Sequence, residues 1–325
     1  LNLLLSIDRC LSAFWGKFVP ERNSLIIVLL HSIFIHGDEL ASGQIDPQQS
    51  VTVNDFQEFV HYFQSNHFTF VSPDDILTGL YPDKNYLLIT FDDGYFNNSR
   101  ILPFLEKMYV PALFFISTRH VLEHKCFWWD VVYRERKRSG ISPELISREC
   151  EWLSGKIHSE IEAYLESEFG TSAIVPQGDL DRPFTAAELQ HFARHPLVSI
   201  GNHTRHHAIL TNYDEDGIYG EMMTAQEDLQ RLFGVTPDVI AYPSGRYNSA
   251  VIRCARRAGF RLGITTIGKK NFLPLDLAST DALCLNRFIL WGGRDIPGQC
   301  RYFRANVHLY ESIREIRNRR RYENC

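Results

Sequence analysis

Short apolar runs, each closed by turn residues and separated by stretches of helical spacing, constrain this chain more than any other feature. Ser24-Leu-Ile-Ile-Val-Leu-Leu-His31 is apolar at nearly every position, the pattern of a strand buried on both faces of a parallel sheet. Comparable runs recur at residues 68–71, 86–91, 110–116, 197–200, 239–242 and 262–265. Between them, helical spacing predicts helices over 53–65, 98–108, 216–233 and 248–258. In the first of these, Asn54 is the expected N-cap and Phe56, Phe59, Val60 and Phe63 form the inward stripe. Strand and helix in alternation imply a mainly parallel sheet, open or closed into a barrel.

One interval breaks that rhythm. Residues 123 to about 182 carry charged helical patterns and few strand-like runs, which predicts a helical insertion. It begins with Cys126-Phe-Trp-Trp-Asp130, an aromatic cluster that either anchors the insertion to the body or stacks on a sugar. Residues 1–23 are expected to hold an N-terminal amphipathic helix, 24–300 the main domain, and 301–325 a basic helix or tail. The tail's Arg314, Arg317, Arg319, Arg320 and Arg321 form either a solvated face or a surface for peripheral contact with membrane or a lipid-linked glycan.

The chain has 325 residues, 44% hydrophobic and 22% charged, which is globular composition. A formal net charge of -5 supplies no basic field, so nucleic acid is not an expected partner. The seven cysteines are scattered without a C-x-x-C pair, which argues against a disulfide framework and a cysteine zinc site. The first residues do not read as a secretory signal, and no uncharged run is long enough to span a bilayer. The expectation is a cytoplasmic protein, peripheral to a membrane at most.

Three strand ends carry polar chemistry. After the run 86–91, Asp92-Asp93-Gly94 places two carboxylates at a carboxyl end, where Gly94 permits a turn. An acidic cap for the next helix is the other reading. After 197–200, His203-Thr-Arg-His206-His207 spaces His203 and His207 four apart, which on one helical turn directs both imidazoles to one side. Two imidazoles and a carboxylate make a zinc set with open positions, and a solvated loop is the alternative. After 239–242, Pro243-Ser244-Gly245 is either loop punctuation or a source of a backbone N–H, that of Ser244, for an oxyanion.

Taken together, Thr90-Phe-Asp-Asp-Gly94, His203-Thr-Arg-His-His207 and, in part, Ala241-Tyr-Pro-Ser-Gly245 resemble the three motifs of the polysaccharide deacetylase family, the nodulation-protein-B homology domain of carbohydrate esterase family 4. That resemblance implies a distorted, incomplete (β/α) barrel of about seven parallel strands. It also implies a divalent metal, normally Zn2+, on Asp93, His203 and His207, with Asp92 as general base. Tyr242, Pro243 and Ser244 would serve the oxyanion or substrate. The implied reaction is hydrolytic removal of the N-acetyl group from an amino sugar in a bacterial glycan or its precursor. The alternatives are another carbon–nitrogen bond, as in an N-formyl sugar or cyclic amide, and a catalytically impaired carbohydrate-binding protein.

Two departures stand out. Ala241 occupies the place where many members carry an arginine, and Arg287, ahead of Arg246, is the preferred substitute. The family's late Leu-x-His motif has no match. His308 is left unassigned, and Asp92 itself, His31 or His206 would have to return the proton.

Overall fold

The computed structural model describes residues 21–308 and Glu311. The expected N-terminal helix and nearly all of the basic tail lie outside the described residues. Among the described residues, nine strands form one sheet: β1 (Ser24–Leu30), β2 (Thr69–Phe70), β3 (Tyr86–Phe91), β4 (Ala112–Ile116), β5 (Val198–Asn202), β6 (Val239–Ala241), β7 (Leu262–Ile264), β8 (Asn271–Phe272) and β9 (Phe288–Ile289). The main path runs β7-β6-β5-β4-β3-β1-β8, with β2 added to β3 and β9 to β1. Every pairing is parallel except that of β1 with β8.

A single short segment joins the two sides of this path. Leu285 bridges to Ile264 of β7, while Phe288 and Ile289 pair with Val28 and Leu29 of β1. The result is the distorted, incompletely closed (β/α) barrel that the sequence implied. Strands β1, β3 and β4 are buried at every position, which explains why they read as continuous apolar runs. Leu25, Ile27, Leu88, Leu113 and Phe115 share one core cluster with Leu262 and Ile264. The alternate residues Ile26, Val28 and Leu30 pack in another with Phe56, Phe59 and Phe63.

Among the described residues, nine helices of at least seven residues surround the strands: α1 (Val53–Ser65), α2 (Leu102–Met108), α3 (Trp128–Arg138), α4 (Pro143–Leu153), α5 (His158–Phe169), α6 (Ala186–Phe192), α7 (Glu215–Phe233), α8 (Ser249–Arg257) and α9 (Ile296–Arg304). The N-cap of α1 is Thr52, not Asn54. Its side chain accepts from the Asp55 N–H while the Asp55 carboxylate accepts from the Thr52 N–H, so two otherwise unpaired donors are satisfied at once. The helix expected over 98–108 is a 3-10 helix through Ile101 that becomes α2 with Pro103 in its first turn.

Helices α3, α4 and α5 are the insertion. They pack around a cluster of their own that includes Val131, Val132, Ile146, Leu153, Ile161 and Leu165. A buried ion pair, Arg134 Nη1 to Asp181 Oδ2 at 2.7 Å, ties α3 to the returning chain. Among the described residues, no helix is long and apolar enough to cross a membrane.

Candidate active site

Both aspartates lie just past β3, and a left-handed turn brings them into one site. Asp92 still follows the sheet, its N–H donating to Leu30 O at 2.9 Å. Asp93 (φ 78°) and Gly94 (φ 92°) then reverse the chain, a conformation that glycine tolerates and aspartate adopts only at a cost. The two carboxylates are buried.

His203 and His207 converge without a helix, which corrects the helical-turn expectation. They sit in a bent segment after β5, where Thr204 (φ 62°) and His207 (φ 51°) are left-handed. Asn202 Oδ1 accepts from the Thr204 N–H at 2.8 Å and Thr204 Oγ1 from the Ala208 N–H at 2.9 Å, so side chains hold the bends in place of helical bonds.

His203 Nε2 is 3.5 Å and His207 Nε2 3.4 Å from Asp93 Oδ1. Both Asp93 oxygens are buried without a hydrogen-bond partner. Leaving a buried carboxylate unpaired is costly, whereas ligands about 2.1 Å from a tetrahedral ion stand about 3.4 Å apart. The donor set therefore fits a divalent cation. His203 Nδ1 lies 2.8 Å from Ala241 O, so its N–H donates there and Nε2 turns its lone pair to Asp93. Burial pushes His207 down to about 3, keeping it neutral, the form that binds metal. Burial alone would raise the Asp93 pKa, but His31, His203 and His207 hold it well below the usual carboxylate range.

Asp92 keeps different company. Arg287 Nη1 and Nη2 donate to its Oδ1 and Oδ2 at 2.7 and 2.8 Å, a bidentate clamp. Nη1 also reaches Thr90 Oγ1 at 3.0 Å, and Nε donates to Thr265 O at 3.1 Å. Arg287 is wholly buried, so it is no surface arginine; it lies on the segment that joins β7 to β1. Burial pushes the Asp92 carboxyl up, yet Arg287 and His203 leave it below its ordinary value.

The remaining expected residues divide. Ser244 (φ 57°) lines the cavity above the aspartates, beside Gly245, where a Cβ would meet Thr266 Oγ1 at 2.0 Å. Tyr242 does not join them: its ring is buried in the core and its hydroxyl donates to Leu283 O at 2.9 Å. Pro243, buried beneath the loop, is likewise not part of the cavity lining.

Of the histidines, His31 faces the site, with Nε2 3.9 Å from Asp93 Oδ2 and Nδ1 2.8 Å from Gln49 Oε1. His206 turns away, its Nδ1 2.6 Å from Glu221 Oε1 and its ring stacked on His158 at 3.8 Å. These stacked rings lie 10° from parallel, so one ion cannot sit in both ring planes, and His158, His206 and Glu221 do not form a second metal set. His308 bonds Tyr302 O at 3.0 Å and packs on Phe288. Arg246 hydrogen-bonds Ser154.

The cavity measures about 390 Å3, and Trp128, Trp129 and Trp291 are among its walls. The Trp129 ring meets His207 edge to face at 4.5 Å, and its Nε1 donates to Tyr95 Oη at 2.9 Å. Tyr95 in turn donates to Asp130 Oδ2 at 2.7 Å. Sequence reasoning missed Gln49 and Trp291. Trp291, two residues past β9, was open to the strand-end argument applied to Asp92, but β9 is only two residues long.

A family model described as "Polysaccharide deacetylase" matches residues 80–263, more than half of the chain. The putative polysaccharide deacetylase YxkH of Bacillus subtilis is 29% identical over 82 residues, which cover 25% of this chain and 29% of that relative's length. The fold matches the Streptococcus pyogenes deacetylase PplD in complex with acetate at a TM-score of 0.58 and 18% identity, over 87% of this chain and 99% of that one. It also matches a de-N-acetylase from Aggregatibacter actinomycetemcomitans at 0.58 and 14%, over 86% and 100%. The three strand ends that carry Asp92, Asp93, His203, His207 and Ser244 all lie inside the matched segment, and this chain belongs to the polysaccharide deacetylase family.

Proposed function

We propose that the protein is a metal-dependent hydrolase that removes the N-acetyl group from an amino sugar of a glycan or glycan precursor. The observation that carries this reading is the pairing of two unlike carboxylates: Asp93 buried with both oxygens unpartnered beside two imidazole nitrogens, and Asp92 clamped by Arg287. Asp93, His203 and His207 would hold the ion, zinc being expected from two imidazoles and one carboxylate, and the ion supplies Lewis acidity at the amide carbonyl and the attacking water.

Asp92 takes the proton from that water. Its lowered pKa keeps it ionised, and the bidentate clamp fixes its orientation. Ser244 presents its backbone N–H to the developing oxyanion. His31, on the cavity wall, delivers a proton to the leaving nitrogen in place of the absent late histidine. The tryptophan walls suit the apolar face of a sugar ring.

Arg287 supplies the charge missing at Ala241, which removes one reason for the impaired-binder reading. The test is acetate and formate release from N-acetylated and N-formylated sugars, with metal content measured on the same sample. Release of acetate that a chelator stops and Zn2+ restores supports the reading. Stoichiometric metal with no release from any amide would favour a binding protein.

A further inference from the structure

His31 directly follows β1 on the wall of the active-site cavity, its Nε2 3.9 Å from Asp93 Oδ2. Its main-chain carbonyl accepts from Asn98 Nδ2 at 2.7 Å, which fixes the backbone that carries the ring. The ring's Nδ1 lies 2.8 Å from Gln49 Oε1. An amide oxygen only accepts, so Nδ1 carries the hydrogen and Nε2 is the nitrogen left to face Asp93.

Gln49 is held as firmly as the ring it meets. Gln48 (φ 43°) and Ser50 (φ 56°) are both left-handed, so Gln49 is presented by a backbone that residues with a Cβ disfavour. Hydrogen bonds hold these bends: Asp46 Oδ1 accepts from the Gln48 N–H at 3.0 Å and Pro47 O from the Ser50 N–H at 2.6 Å. Gln49 O accepts from the Gly292 N–H at 2.8 Å, and a Cβ on Gly292 would collide with Ser50 O and Val51 Cα, so the two segments pack backbone on backbone. Gln49 is buried, yet it lines the cavity with His31. Two disfavoured bends around one buried amide that meets a cavity histidine are the kind of strain that points to a function.

We propose that Gln49 is a positioning residue for proton delivery to the leaving nitrogen: by accepting from His31 Nδ1 it fixes the direction of the ring and leaves Nε2 as the nitrogen that serves the substrate. The inference rests on the deacetylase reading above. As the tetrahedral carbon breaks its bond to nitrogen, the nitrogen lone pair takes the proton from Nε2, the carbonyl of acetate re-forms and the amine leaves neutral. His31 is left with its one hydrogen on Nδ1, the tautomer that Gln49 Oε1 selects. Gln49 acts through His31 and does not touch the reacting atoms. An amine needs this proton to leave, whereas p-nitrophenolate leaves without one.

The experiment compares wild type, Gln49→Leu, Gln49→Glu, His31→Ala and the double variant Gln49→Leu with His31→Ala, all loaded with Zn2+. The probes are two amides, N-acetylglucosamine and its β-1,4-linked pentamer, and one ester, p-nitrophenyl acetate. Gln49→Leu should lower kcat for the amide by about 10- to 100-fold, a part of the roughly 10²–10⁴-fold that a general acid contributes, with KM and ester cleavage nearly unchanged. Gln49→Glu, which keeps an acceptor oxygen, should recover much of that loss. On the His31→Ala background, Gln49→Leu should add little, because its effect passes through the ring. Nitrogen-15 NMR with and without Zn2+ should place the His31 hydrogen on Nδ1 in the wild type and show that preference lost in Gln49→Leu. A folded Gln49→Leu protein that keeps its amide kcat, or that loses amide and ester cleavage equally, overturns the proposal. An unchanged tautomer in Gln49→Leu defeats the positioning claim alone, whereas a wild type that releases acetate from neither sugar defeats it together with the deacetylase reading.

Discussion

The corner around Asp92 and the corner around Asp93 are adjacent in the chain and opposite in design. Around Asp92 each carboxylate oxygen accepts one hydrogen bond from Arg287, and the guanidinium balances the charge within the protein. Around Asp93 three imidazole nitrogens stand 3.4 to 3.9 Å away and no hydrogen bond is made. Burial alone does not define a carboxylate's role; its partners do. A guanidinium that does not deprotonate holds a base in place, whereas imidazole nitrogens held 3.4 Å or more from a carboxylate leave room for a cation.

The comparison breaks most visibly at the histidines. His203→Ala or His207→Ala should abolish metal binding and acetate release together, as read by elemental analysis beside a release assay. Retained stoichiometric metal would remove these residues from the ligand set.

Next in size is Arg287→Ala. With the guanidinium gone, burial is left as the leading influence on Asp92 and raises its pKa. The base works only when ionised, so activity should be lost as pH falls through the raised value, moving the acid limb of kcat/KM upward. Breaking a buried pair by removing one partner also costs about 3–5 kcal/mol of stability, read by denaturant unfolding. Arg287→Lys should rescue little, since lysine cannot make the two-pronged contact. An unmoved acid limb would show that another group sets it.

Trp129→Phe should give the smallest effect. The ring against His207 is kept but the N–H to Tyr95 is lost, so metal affinity should fall by about tenfold, the low end for groups that orient a ligand. No change in affinity would mean that packing alone holds His207.

Much of this site was legible in the sequence because its residues follow strand ends. Asp92 and Asp93 stand just past a continuous apolar run, and His203 directly follows the shorter, partly buried β5. The same periodicity exposed the insertion as the place where strands stop recurring. What stayed hidden depends on irregular backbone. The left-handed bends at Thr204 and His207 that aim two imidazoles have no period. Arg287 was selected as a candidate, but its burial and its clamp on Asp92 come from a closing segment whose strand is two residues long. Tyr242, read as a site residue from its motif, faces the core because the residue after β6 keeps the strand's alternation.

The central claim is that two neighbouring aspartates divide the work. Its most direct test is the metal content per chain of Asp92→Asn and Asp93→Asn, measured with acetate release on the same preparations. Asp92→Asn should keep one equivalent of metal while release falls by about 10²–10⁴-fold, the typical contribution of a general base, and Asp93→Asn should lose the metal. Loss of metal from Asp92→Asn, with Asp93→Asn still loaded, would contradict it.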